Sequence, residues 1–168
     1  MKISTQIVTR SAVILALAMA VQLVKLPQPI TGPVVNALLF IATALIGPIG
    51  ALLIGLCTPV FAFAFGIMPF APAVVIIMLG NVILAVTFGF LAKRPIMAYV
   101  GAAFAKFIVM SALVMYIVPV LFGIKVPAKI VAALTTPQLL TALGGAVIAF
   151  IVLKGIERIT KNNNSAEL

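Results

Sequence analysis

The chain has 168 residues, 65% of them hydrophobic and only 8% charged, where a typical soluble domain carries roughly 25% charged residues. A soluble fold of this length leaves about a third of its unfolded surface wet, so the composition excludes a water-soluble globule and describes an all-α integral membrane protein. Eleven Lys and Arg against two acids give a formal charge of +9. The basic residues sit between or beside apolar runs, the pattern of topology signals and contacts to an anionic lipid bilayer, with no nucleic acid expected.

Much chemistry is excluded as well. With no His and a single Cys, Cys57, the chain has no His/Cys metal site and no disulfide framework. The acids Glu157 and Glu167 both lie in the last dozen residues, so no carboxylate pair is available for acid–base work or metal binding. No phosphate-binding glycine loop ending in Lys-Ser/Thr is present. The chain is expected to be no enzyme and to carry no cofactor or metal of its own.

Proline supplies the punctuation, because it is best tolerated at helix starts and in loops. Breaks at Pro27, Pro29 and Pro33, at Pro48, at Pro69 and Pro72, at Pro95, and across Pro119, Pro127 and Pro137 leave six apolar helices. They are expected at roughly 5–24, 33–46, 49–67, 73–92, 96–118 and 137–156, a compact bundle of six transmembrane helices in one domain, 1–160. A polar tail, 161–168, follows and is expected to be disordered.

The first span begins with Lys2 and Arg10 and passes Ala18-Met19-Ala20, which resembles a cleavable leader. Its apolar run continues past Ala20 to Val24, so a retained helix is expected. Ala12, Ala16 and Ala20 recur every fourth residue and form a small-residue stripe, suited either to docking a partner helix or to packing within the bundle. Gln22 and Lys25 end the helix as pocket residues or interfacial anchors. The second span is the short one if Pro33 starts it; an earlier start near Ile30, or a re-entrant hairpin over 33–67, are the alternatives. It carries Asn36. The third repeats small residues at Gly47, Ala51 and Gly55, is expected to kink at Pro59, and places Phe61, Phe63 and Phe65 in alternation. The turn from Gly66 to Pro72 offers apolar walls.

The fourth span holds Asn81 midway. Asn36 and Asn81 suit either a small hydrated pocket or hydrogen bonding between helices. The fifth holds Lys106 about ten residues in, some 15 Å from its start at 1.5 Å per residue. An ammonium at that depth costs about 2.5–3.5 kcal/mol and needs water or a partner, yet no acid lies in any expected span. It suits a counter-charge for an anionic ligand group, or a side chain that snorkels past Gly101–Ala105 to the interface. Tyr116 lies near the outer end as a pocket residue or anchor. Thr136 is placed to cap the sixth helix ahead of Pro137, and Gln138, Thr141 and Gly145 share a stripe fit for a pocket wall or a packing seam.

Six spans put Lys2, Arg10, Lys93, Arg94, Lys154, Arg158 and Lys161 on one face and only Lys25, Lys125 and Lys129 on the other. The positive-inside rule then assigns both termini to the cytoplasm of a multi-pass cell-membrane protein. Spans free of carboxylates and His offer no proton relay. A passive facilitator, a subunit driven by a partner, and a ligand-free structural subunit all fit these features.

The layout resembles the substrate-binding S component of energy-coupling factor (ECF) vitamin transporters: six helices, an alanine stripe on the first, and the stretches Gly32-Pro33-Val34-Val35-Asn36-Ala37 and Ile46-Gly47-Pro48-Ile49-Gly50-Ala51-Leu52. The resemblance implies capture of a small water-soluble vitamin or related metabolite from outside. It further implies docking through Ala12, Ala16 and Ala20 on a transmembrane coupling subunit with two ATPase subunits that use ATP. It also implies an outer-half pocket, for which Asn36, Asn81, Lys106, Tyr116, Gln138 and Thr141 are the polar candidates.

Overall fold

The computed structural model describes residues 5–68, 70–123 and 125–166; Lys2, Pro69 and Glu167 lie outside them. The described residues are helical between short connections: α1 (Thr5–Leu23), α2 (Gln28–Ile46), α3 (Pro48–Ala64), α4 (Ala71–Phe90), α5 (Pro95–Phe122), the short α6 (Ala128–Leu134) and α7 (Thr136–Ala166). Five stretches are long and apolar enough to cross a membrane: α1, α2, α4, α5 and the α6–α7 segment. With the shorter apolar α3 they form a bundle compatible with a multi-pass membrane protein.

The helices close a ring of neighbours in the order α1, α3, α4, α5, α7, α2 and back to α1, and α2 also touches α3 and α4. The core runs through Leu39 and Phe40 of α2, Ile54 of α3, Leu84 of α4, Ala102 and Ala103 of α5 and Ala142 of α7, all buried. At one end of the bundle Phe40, Phe88, Tyr99 and Phe150 from four helices pack edge-to-face or tilted, with centroids 4.8–6.1 Å apart. Such contacts add to their burial and fill the bundle axis there.

Several boundaries move, each for a local reason. The second span starts at Gln28 and reaches 19 residues, so it is not the short one. Pro27 caps it, its carbonyl accepting from Ile30 and Thr31 N–H, and Pro29 occupies the first turn. The chain is thus already helical when it reaches Pro33, which is carried inside. The shorter helix is α3, at 17 residues. Pro119 does not end α5 either. A π-turn at Leu113–Ile117 precedes it, and this wider turn accommodates a residue that cannot donate to the ladder. The segment from Ala128 to Leu134, expected as loop, is a helix capped by Pro127. The expected disordered tail continues α7 to Ala166, with Lys154 and Glu157 paired at 3.0 Å one turn apart.

The tightest seam joins α2 to α7. A Cβ added at Gly145 would lie 2.7 Å from Asn36 Cβ and from the Pro33 carbonyl oxygen, and 2.8 Å from Ala37 N. Backbone atoms cannot yield as a flexible side chain can. Gly145→Ala is therefore expected to destabilise the bundle by about 1–3 kcal/mol. Gly155→Ala, where nothing lies within 4 Å, should be neutral or stabilising by up to ~1 kcal/mol from helix propensity. Thermal unfolding in one detergent checks the pair.

Candidate ligand-binding site

At the end opposite the aromatic cluster the bundle opens into a cavity of about 710 Å³, within the range of small-molecule sites. Its rim is formed by Gln22 at the end of α1, by Lys25 and Leu26 of the α1–α2 connection, by Gly66, Ile67 and Met68 of the α3–α4 connection, and by α6. Asn36 lies eight residues below the start of α2 and Asn81 ten below the start of α4. The floor they form is thus about 12–15 Å down at 1.5 Å per residue.

That floor is a polar network in an apolar surround. The Lys106 ammonium, 3% exposed, donates to Asn36 Oδ1 at 2.7 Å and to Asn81 Oδ1 at 2.8 Å. It therefore faces the cavity rather than snorkelling to the interface. Asn81 Nδ2 donates to the Gly55 carbonyl at 3.0 Å, and Asn36 Nδ2 reaches Thr141 Oγ1 at 3.4 Å. Thr141 in turn donates to the Gln138 carbonyl at 3.1 Å. Both asparagine amides are thereby oriented with their oxygens toward the cation.

Glycines set the spacing. Gly145 lies against Asn36 and Gly55 against Asn81, while Gly80 leaves room for Met110 and the stem of Lys106. Larger residues would separate the helices that deliver the network.

The candidate residues divide cleanly. Asn36, Asn81, Lys106 and Gln138 line the cavity, as do Gln22 and Lys25 at the rim. Thr141 does not line it but braces Asn36, so the stripe on α7 splits: Gln138 is wall, Thr141 and Gly145 are seam. Tyr116 is not brought to the site. Buried positions on α5 run Ala98, Ala102, Lys106, Met110, Val114 and Val118 at every fourth residue. Tyr116 falls midway between the last two and is turned outward, 65% exposed. None of Phe61, Phe63 and Phe65 lines the cavity, whereas Pro59 and Thr58 do. Thr136 makes no capping bond; the hydroxyl engaged there is that of Thr135, donating to Val131 and Ala132 carbonyls.

Lys129, Ile130, Ala133 and Leu134 of α6 complete the wall. Gln28 and Gln138 both donate to the Ala133 carbonyl, at 3.4 and 3.3 Å, and tether α6 over the cavity. Sequence reasoning missed these residues. The signal was the apolar run Ile130–Leu134 between Pro127 and Pro137, too long for a simple turn.

Ala12, Ala16 and Ala20 are exposed on α1, while Ala18 is buried against the bundle. No family model, no curated protein and no solved structure matches this chain.

The network makes an asymmetric stability prediction. Removing an acceptor leaves a buried cation short of a partner, which costs about 1.5–3 kcal/mol, whereas removing the cation leaves two neutral amides facing a cavity that water can enter. Asn81→Leu is expected to lower the melting temperature markedly. Lys106→Met should leave it unchanged or raised, and the double variant should recover most of the Asn81→Leu loss. A double-mutant cycle by thermal unfolding reads the coupling directly.

Proposed function

We propose that this chain is a substrate-specific binding subunit of the ECF type, a six-span protein of the cell membrane with both termini in the cytoplasm. It captures a small water-soluble nutrient from outside and releases it inward when a coupling subunit with two ATPases engages it. The observation that carries this reading is the cavity, open at one end of the bundle, floored by buried polar side chains of α2, α4 and α5, and backed by the aromatic cluster. A channel needs a continuous polar path, and Phe40, Phe88 and Tyr99 occupy the axis about 6–10 Å below the floor, counted along their helices.

The charge distribution supports the orientation. The cavity end carries Lys25, Lys125 and Lys129, and the other end Arg10, Lys93, Arg94, Lys154, Arg158 and Lys161, so the positive-inside rule turns the mouth outward. The exposed stripe of Ala12, Ala16 and Ala20 suits close approach by a partner helix. No carboxylate or imidazole, the groups that usually relay protons in carriers, lines the cavity among the described residues, and this reading assigns the energy source to the partner ATPases.

Proteoliposomes test the reading. Vesicles holding only this chain should accumulate no labelled vitamin from a water-soluble panel. Vesicles that also hold a coupling subunit, its ATPases and internal ATP should accumulate at least one. Accumulation by the chain alone would overturn the proposal. Ala16→Phe is expected to abolish co-purification with the coupling subunit, at least tenfold by quantitative pull-down, while leaving retention of a bound small molecule unchanged.

A further inference from the structure

The floor of the cavity holds a cation without a counter-ion. Two neutral amide oxygens stabilise the Lys106 ammonium but leave its charge in place. An ammonium has three donors, and the third has no protein acceptor among the described residues. Among the described residues the acid is Glu157, and it lies in the far part of α7 beside Lys154. Lys25 and Lys129 stand at the rim, so every charged group around the cavity is positive. Low-dielectric walls focus such a field on what enters.

Other donors near the floor are already committed. Thr58 Oγ1 donates to the Ile54 carbonyl, and Thr31 Oγ1 to the Leu26 carbonyl. No arginine lines the cavity, so a doubly charged phosphate, with several oxygens to satisfy, is poorly served. The walls above the floor are apolar: Pro59, Ala73, Ile77, Ile130 and Leu134.

From this geometry we infer that the cavity takes a small organic monocarboxylate, seated charged end first, with its apolar body against α3, α4 and α6. The carboxylate accepts the free N–H of Lys106 and neutralises it. Asn36 and Asn81 are positioning residues, which hold the ammonium so that one donor stays open. The rim lysines draw the anion in. This inference rests on reading the cavity as a capture site and adds the chemical class of what is captured.

The test uses the full chain in lipid nanodiscs, after small molecules released from the purified protein have been identified by mass spectrometry. The stripped protein is titrated with benzoate, phenylacetate and cyclohexanecarboxylate, each beside its primary amide. At least one acid is expected to bind saturably and about tenfold or more tighter than its amide, as a charge-assisted bond requires. Lys106→Met should bring acid and amide to equal affinity. Asn36→Asp gives Lys106 a carboxylate of its own, and the Thr141 hydroxyl can turn its one proton from the Gln138 carbonyl to that carboxylate. It should abolish the acid preference while keeping the melting temperature at or above that of the parent, which a merely structural role for the network would not produce. Equal binding of acids and amides, a preference that survives either substitution, or a neutral or cationic molecule released from the native protein would overturn the monocarboxylate assignment and leave capture standing. Absence of binding by every compound, with no small molecule released, would overturn both.

Discussion

Burial of one ammonium group constrains the whole bundle. Lys106 sits in the middle of α5 with apolar helices on every side, and an unpaired cation there would cost several kcal/mol. Its two acceptors come from α2 and α4, which must therefore run at matched depth and at hydrogen-bonding distance from α5. Each acceptor is held in turn by another element, Asn81 by the α3 backbone and Asn36 by Thr141 of α7. A single charge thus ties five helices together. Small residues at Gly55, Gly80 and Gly145 are what allow those helices to come close enough.

The two ends of the molecule are built differently around that network. Below it, the interlocked aromatic rings of α2, α4, α5 and α7 make a dense plug. Above it lies the cavity, bordered by the α1–α2 and α3–α4 connections and by the short α6. That helix hangs between Gly123, in the left-handed region at φ +61°, and Thr135, tethered by two glutamine amides on one carbonyl. Leu134, Ile130 and Val131 also seat that helix on Ala73, Ile76, Met110 and Val114, so the cover is held by apolar packing as well as by those two bonds.

Much of the fold was legible because proline and apolar run length act locally. The breaks at Pro48, Pro72 and Pro95 stand within a residue or two of where the helices begin. Two of the shifted boundaries share one cause, since a proline can stand inside a helix as well as at its start, as Pro59 does in α3. Pro33 and Pro119 are carried inside helices, one because the helix had already started at Pro27–Pro29, the other because a π-turn makes room for it. The tail shows the opposite error. Its polar residues suggest disorder, yet α7 leaves the apolar zone already helical and continues to Ala166.

The site divides along the same line. Asn36, Asn81, Lys106 and Gln138 stood out because polar atoms among apolar residues are costly and need a reason. Depth alone makes Tyr116 a candidate, and the period of four through Ala98, Ala102, Lys106 and Met110 excludes it from that face. Composition and apolar run length by themselves pointed to a helical bundle of membrane type with one lysine deep in an apolar run and no acid beside it. Only the tertiary structure decided which way that cation turns. Its acceptors lie 70 and 25 residues away in the chain, and helical periodicity orients a side chain on its own helix without saying which neighbour will face it.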